Sequence, residues 1–308
     1  MKKACVTILF LLSLTIPMFV HTATSAEPIT TIFIQPDGSI SPSNVPIQRD
    51  GDVYTFTGNV HDPILIQKSN VTVDGAGYSV IGSLTEEEKK REQLLGTGPN
   101  TTLPPYIIGL DCDKTVDGLT IKNLNVDNFE VGVYIRTTHN TLLGNAVSGN
   151  LVGILLSGSA NTITKNYIFD NEMGLFFGFT QVNGSASNIP TDIDISDNSF
   201  INNTYQLTGC VCKVYNFSEP IHSWDNGKVG NYWSNYNGTD TDHDGIGDTY
   251  YRIDVLNQDR YPLILSPAKP PVPATQFPFE TTAIGVAVAL LTVTAVLVYL
   301  RYRKKNQG

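Results

Sequence analysis

The feature that most restricts this 308-residue chain is a repeat in its middle. Asparagines recur in pairs five residues apart: Asn123/Asn128, Asn145/Asn150, Asn166/Asn171 and Asn198/Asn203. Their first members are spaced 22, 21 and 32 residues, the last interval being one period plus an eleven-residue insertion centred on Gln181–Asn188. Gly132, Gly153 and Gly174 keep the period of 21, each followed by an apolar triplet, and Asn140 and Asn161 continue it. A unit of this length, with short strand-like runs and no helical periodicity, cannot bury its apolar side alone. It must stack on copies of itself.

Each repeat holds three β-rich stretches, such as Val133–Ile135, Thr141–Leu143 and Ala146–Val147, punctuated by Asn or Gly. Those two residues tolerate the left-handed conformation of a tight corner, and stacked Asn side chains can hydrogen-bond from coil to coil. The Leu-x-x-Leu-x-Leu pattern of a leucine-rich repeat is absent. The expected fold is all-β, a parallel β-helix. Thr31–Ile34, Val53–Val60 and Ile64–Val73 alternate like strands, and Asn70–Gly77 reads as an opening coil. Leu84–Leu95, with a capping box at Thr85 and Glu88 and a run of charge, predicts a cap helix or flap on the side of the stack.

Both ends read as addresses. Residues 1–26 have a basic start at Lys2 and Lys3, an apolar run Ala4–Val20 and small residues before a cut after Ser25 or Ala26, which predicts a secretory signal. Thr281–Leu300 carries no charge and is long enough to cross about 30 Å of hydrocarbon as a helix. Arg301, Arg303, Lys304 and Lys305 in the tail 301–308 put that side in the cytoplasm. The Pro-rich stretch 266–280 is a stiff stalk. The expectation is a single-pass type I protein of the cell membrane with an extracellular body: a β-helix with its N-terminal cap at 27–218 and a C-terminal cap at 219–265. Sequons at Asn70, Asn100, Asn183, Asn202, Asn216 and Asn237 fit that location. With the signal removed, Cys112, Cys210 and Cys212 remain, so at most one disulfide forms; Cys210 and Cys212 have no His or third Cys at metal-ligand spacing.

Charge narrows the partners. Outside the two ends, residues 27–280 hold 14 basic against 29 acidic side chains, a net −15. Such a body repels phosphate, which excludes nucleic acid; the expected partners are the membrane and extracellular polysaccharide or surface-layer components. A hydrophobic content of 41% excludes a disordered chain.

One motif carries definite chemistry. Asp240, Asp242, Asp244 and Asp248 stand at positions 1, 3, 5 and 9 of a loop with Gly245 at 6, and the carbonyl of Ile246 would supply position 7. Calcium takes oxygens at this spacing while the glycine makes the sharp turn. Position 12 is Tyr251 in place of the bidentate Glu of an EF-hand, so the loop resembles the shorter calcium loops of thrombospondin type 3 repeats, with Asp254, Asp225 or water as further ligands. His243 is expected to point outward. Catalytic candidates are weaker. Asp127 and Asp170 each precede the second Asn of their pair, and two coils of about 4.8 Å would set them roughly 9–10 Å apart, near the separation of inverting glycosidases. Lys122 and Lys165 share another expected column, and Asp192, Asp194 and Asp197 cluster at the insertion. Turn-forming Asp beside a corner explains the same residues without catalysis. Tyr134, Tyr167, Phe169, Phe176 and Phe177 read as core, with a sugar-stacking strip as the alternative; Trp224, Tyr232, Trp233 and Tyr236 read as closing the stack.

Gly230-Asn231-Tyr232-Trp233-Ser234 through Asp248, ending Asn257-Gln258-Asp259-Arg260-Tyr261-Pro262-Leu263, resembles the C-terminal signature of right-handed parallel β-helix proteins of the NosD-like, pectin-lyase-like group, in its archaeal cell-surface form. Gln35–Ile40, Pro46–Gly51 and Tyr54–Phe56 are similar to that group's N-terminal cap. The resemblance implies a right-handed β-helix. The NosD proteins themselves are periplasmic factors tied to copper supply for nitrous oxide reductase, whereas this chain has no His- or Met-rich copper tract. Three functions stay open: a non-enzymatic carbohydrate-binding or envelope module, a polysaccharide lyase or hydrolase working along the β-helix groove, and a maturation factor for a metalloenzyme.

Overall fold

The chain turns three corners per coil, and at each corner one residue takes a left-handed conformation. The first corner stacks Asn70, Gly118, His139, Ala160 and Asp192; the second Asn123, Gly144, Lys165 and Asp197; the third Asn128, Gly149, Asp170 and Asn202, all with φ between 52° and 67°. The computed structural model describes residues 30–84, 107–178, 180–182, 185–187, 189–208, 222–254, 256–267 and 269.

Between corners lie short strands that pair in parallel with their equivalents one coil away. Sheet A runs through Ile32–Ile34, Ile64–Ile66, Ile108–Cys112, Val131–Ile135, Val152–Leu156, Met173–Phe177 and Tyr205–Thr208; sheet B from Val53–Phe56 through Thr141–Leu143 to Asp194–Ser196; sheet C from Ser79–Ile81 through Ala146–Ser148 to Tyr232–Trp233. This is the expected stack of parallel coils. Each strand aims an apolar residue inward, giving the columns Leu110, Val133, Ile154, Leu175 in sheet A, Ile121, Leu142, Ile163, Ile195 in sheet B and Val126, Val147, Ile168, Phe200 in sheet C, all at most 1% exposed. Each contributes about 1.5–3 kcal/mol on burial, and only neighbouring coils supply the cover. At the N-terminal end the edges are blunted by antiparallel strands, Ile40–Ser41 on sheet A and Ile47–Asp50 on sheet B.

The residue after each corner points into the stack and carries the ladder. At the second corner these are Leu124, Asn145, Asn166, Asn198 and Asn231. The main-chain N–H of Leu124 donates to Asn145 Oδ1 at 3.1 Å, and each Asn in turn donates its N–H to the next one's Oδ1 at 2.9–3.1 Å. Each Nδ2 donates both to that same oxygen and to a carbonyl of the preceding coil, for example Asn166 to Asn198 at 3.0 Å and to Leu142 at 2.9 Å. The third corner repeats this with Phe129, Asn150, Asn171 and Asn203, and the first more briefly with Leu119, Asn140 and Asn161. These amides are at most 7% exposed, and their hydrogen bonds are what make burying them tolerable. The recurring glycines make room for them: a Cβ on Gly132, Gly153 or Gly174 would fall 2.9–3.0 Å from the ladder Nδ2 and 2.6–2.7 Å from the next coil's carbonyl oxygen.

The register differs from the sequence reading by one residue in the first coil. Ladder positions are spaced 21, 21 and 32 counted from Leu124, while Asn123 and Asn128 stand one place earlier, at the left-handed corners taken elsewhere by Gly144 and Gly149. Asn suits both jobs, so the pairs look alike in sequence. The insertion lies where expected, at the first corner, and contains an antiparallel pair, Thr180–Val182 with Ser185–Ser187. The charged run after Leu84, Cys210, Cys212, the signal, the distal stalk and Thr281–Leu300 lie outside the described residues; among those described, no helix is long and apolar enough to cross a membrane. Cys112 is free and fully buried in sheet A. Of the described sequon residues, Asn70, Asn202 and Asn237 are exposed.

Candidate metal centre and the cap that carries it

The stack closes on aromatic rings. Phe200 stacks on Trp233 at 4.5 Å, and Trp233 on Tyr251 at 4.4 Å, with Trp224 beside them. The second-corner ladder ends here on a carboxylate. Asp259, 0% exposed, takes at Oδ2 the N–H of Asn231 at 2.6 Å and Nε1 of Trp233 at 2.9 Å, and at Oδ1 the N–H of Tyr261 at 3.1 Å. Burial pushes its carboxyl up to about 6, against the pull of those three N–H groups. Gly230 is required beside it, because a Cβ there would lie on the Asp259 carboxylate. In the sequence Asp259 stands out only as part of the C-terminal signature; its role depends on a partner 28 residues away.

From this cap projects the acidic loop. It is pinned to the end of the stack by Gly247 N–H to Pro262 O at 2.8 Å and Ile264 N–H to Gly245 O at 3.0 Å. Asp240, Asp242 and Asp244 come together, each offering an oxygen within 4.8 Å of the others. Asp240 accepts the N–H groups of Asp244 and Gly245 at 3.2 and 3.0 Å, Asp244 accepts that of Ile246 at 2.8 Å, and Gly245 turns with φ 90°. This winds the loop around the three carboxylates. Asp248 does a different job: its Oδ2 accepts both hydroxyl and N–H of Thr241 and the hydroxyl of Thr239, which holds its carboxyl below the ordinary range. His243 is exposed and outside the cluster. Tyr251, at position 12, packs on Trp233 and bonds Asn235. Asp225 is committed to Arg260 and Gly227, and Asp254 to the N–H groups of Leu256 and Asn257 and the Asn257 amide. An oxygen-only set of three carboxylates suits a hard cation.

The catalytic candidates separate. Asp127 ends a sheet C strand, in register with Ser148 and Phe169, whose Ser148 hydroxyl it accepts at 3.2 Å. Asp170 lies one place later, exposed at the third corner. A slip of one residue moves a side chain to the other face, so the two are not equivalent. The same slip parts Lys122, which pairs with Asp74 at 3.1 Å, from Lys165 at the second corner. Asp192 and Asp197 are corner residues, and Asp194 is an exposed strand residue. Of the five aromatics Tyr134, Tyr167, Phe169, Phe176 and Phe177, one, Phe177, turns inward; Tyr134 and Phe176 on sheet A and Tyr167 and Phe169 on sheet C are half-buried on the outside, a correction to reading all five as core. A polar group missed in sequence sits among them. Arg136 forks onto Asp111 at 2.9 and 3.0 Å and lies 4.0 Å over Tyr134, whose hydroxyl is 3.2 Å from Ser157 Oγ. Burial outweighs Arg136 and leaves the Asp111 carboxyl above its ordinary value. The strand register was its only available signal.

Soft donors are scattered. Cys112 is buried, and burial pushes its thiol far up, so it stays protonated. His61 and His139 are exposed. His222 lies against Phe177 at 4.7 Å, and burial lowers its imidazole to about 4. Asp240–Asp242–Asp244 is the only cluster of three His, Cys, Asp or Glu donors among the described residues.

Residues 108–238 match the family model described as periplasmic copper-binding protein (NosD). A probable ABC transporter binding protein NosD of Pseudomonas aeruginosa is 29% identical over 136 residues, 42% of this chain and 30% of that protein, so the chain spans less than a third of that relative's length. Among solved structures, the catalytic domain of a GH87 alpha-1,3-glucanase in complex with tetrasaccharides aligns at a TM-score of 0.32 with 18% identity, over 57% of this chain and 34% of that one. Copper calls for thiolate, thioether or imidazole donors brought together; among the described residues no three His or Cys donors form such a cluster. The match ends two residues before Asp240, so the acidic loop lies beyond it.

Proposed function

We propose that this chain is a membrane-tethered, extracellular β-helical module that binds carbohydrate or another envelope component without catalysis, its C-terminal cap held by calcium. The observation carrying the reading is the cluster of Asp240, Asp242 and Asp244 in a loop pinned to the last coil. Three acceptor-only carboxylates repel one another unless a cation sits between them. Calcium takes them with the Ile246 carbonyl, Asp248 through its second oxygen, and water. Calcium is abundant outside cells, so a weak site there is filled. The signal at 1–26 exports the body, and the stalk at 266–280 and the span at 281–300 tether it to the membrane.

The test is thermal unfolding of the full chain in millimolar calcium and in chelator, for the wild type and for Asp242→Ala with Asp244→Ala. A melting temperature raised by calcium in the wild type and indifferent to it in the variant is expected; the same calcium response in both would sink the assignment. A second reading, a NosD-like maturation factor, is favoured by the match over 108–238. Stoichiometric copper binding lost on changing Cys210 and Cys212 would support it over the first.

A further inference from the structure

The cap extends two of the three sheets and leaves the third short. Ser223 bridges Asp194 to lengthen sheet B, and Tyr232–Trp233 add a strand to sheet C. Among the described residues sheet A gains no further strand: its last, Tyr205–Thr208, pairs with Met173–Phe177. Beside it, between residues 203–207 and the cap residues Asn235 and Tyr251–Ile253, lies an open groove of about 320 Å³, at the small end of ligand sites. Tyr205 is 54% exposed, an uncommon state for a large ring in this body. Tyr251 is fixed by its stacking on Trp233, and its hydroxyl donates to Asn235 Oδ1. Gln206 is buried at the base of the groove, its Nε2 donating to Ser234 Oγ and its Oε1 accepting from Asn203 Nδ2. Arg252 uses Nε on the Asp254 carbonyl and makes no ion pair among the described residues. In a body of net −15, this groove is lined by one arginine and no carboxylate.

We propose that the groove binds an acidic sugar unit of an extracellular polysaccharide. The sugar ring lies on Tyr205, its carboxylate meets the Arg252 guanidinium, and its hydroxyls meet the Asn235 amide. An exposed ring beside a fixed amide is the chemistry that takes a pyranose, apolar on its face and polar at its edge. A planar guanidinium selects a carboxylate among sugars. The inference rests on the carbohydrate-binding reading above and gives it a place and a ligand charge.

The experiment is calorimetric titration of the full chain in detergent with a short oligogalacturonate, and with an uncharged maltooligosaccharide of equal length. The wild type should prefer the acidic oligomer. Arg252→Gln should cost roughly 10–100-fold in affinity and abolish the preference. Tyr205→Ala should cost about 10-fold for either sugar, with Tyr205→Phe restoring most of it. Both side chains are exposed, so the fold should survive, and an unshifted melting temperature checks that. Acidic-sugar binding unchanged in both Arg252→Gln and Tyr205→Ala would overturn the groove while leaving carbohydrate binding standing. Equal binding of the neutral oligomer would overturn the acidic selection. No saccharide bound by the wild type would overturn both, as would capture of an extended peptide along the Tyr205–Thr208 edge in its place.

Discussion

The coil corners and the acidic loop both turn the chain tightly around buried or crowded polar groups, with opposite electrostatics. At the corners, neutral amides donate and accept together: Asn166 receives two N–H groups at Oδ1 and gives Nδ2 to Leu142, Thr164 and Asn198. Every polar atom is answered within the stack, and no ion is needed. In the loop, Asp240, Asp242 and Asp244 only accept, and the nearby N–H groups leave charge uncompensated. The first arrangement is self-sufficient and can be repeated without limit; the second occurs once, at the end, and depends on what the medium supplies.

The largest effect that tests this contrast is at Asn166. Asn166→Ala strands the buried N–H of Asn145 and carbonyl of Leu142, at about 1–3 kcal/mol for each group left unpaired. Denaturant unfolding should show a loss of several kcal/mol, the same in calcium and in chelator; a loss under 1 kcal/mol would mean that the ladder is ornamental to stability.

Asp259 joins the two regimes, a carboxylate at the end of the amide ladder. Its folded carboxyl is raised to about 6 from the ordinary 3.8. The proton is therefore held more tightly in the folded state, and this group's stabilising contribution is present below about pH 4 and lost as pH rises through about 6, on the order of 3 kcal/mol in all. Asp225 and Asp248 run the other way. Burial raises Asp225, but Arg260 and the Gly227 N–H outweigh it, so both carboxyls lie below the ordinary value and their contribution fades in stronger acid. Urea midpoints from pH 4 to 7 should fall more steeply in the wild type than in Asp259→Asn; parallel curves would remove Asp259 as the cause.

The smallest effect is one residue from the largest. Lys165 is a non-glycine residue at φ 58°, in the column that Gly144 also occupies. Lys165→Gly should be neutral or stabilising by up to about 1 kcal/mol. A large loss there would mean that corner and ladder positions are not distinct.

The coils were legible because the pattern repeats: Gly132, Gly153 and Gly174 show the period, and the triplets after them show the strands. The register was less so. Asn123 serves the left-handed corner and Asn145 the ladder, and only the hydrogen bond from Leu124 separates the two roles. That slip made Asp127 and Asp170 look equivalent. In the cap, the spacing of Asp240, Asp242 and Asp244 announced the cluster, since the loop folds on itself. Asp248 also takes the Thr239 and Thr241 hydroxyls on one oxygen, a use its spacing did not announce. Contacts between sequence-distant partners, such as Asp259 with Asn231 and Asp111 with Arg136, follow only from the three-dimensional register.

Residue-resolved amide hydrogen exchange on the full chain, in millimolar calcium and after chelation, tests the contrast most directly. The ladder amides of Asn145, Asn166 and Asn198 should keep their protection in both conditions, while Asp244, Gly245 and Ile246 should lose theirs when calcium is removed. Equal protection of the loop in chelator, or loss of protection along the ladder with it, would contradict the account.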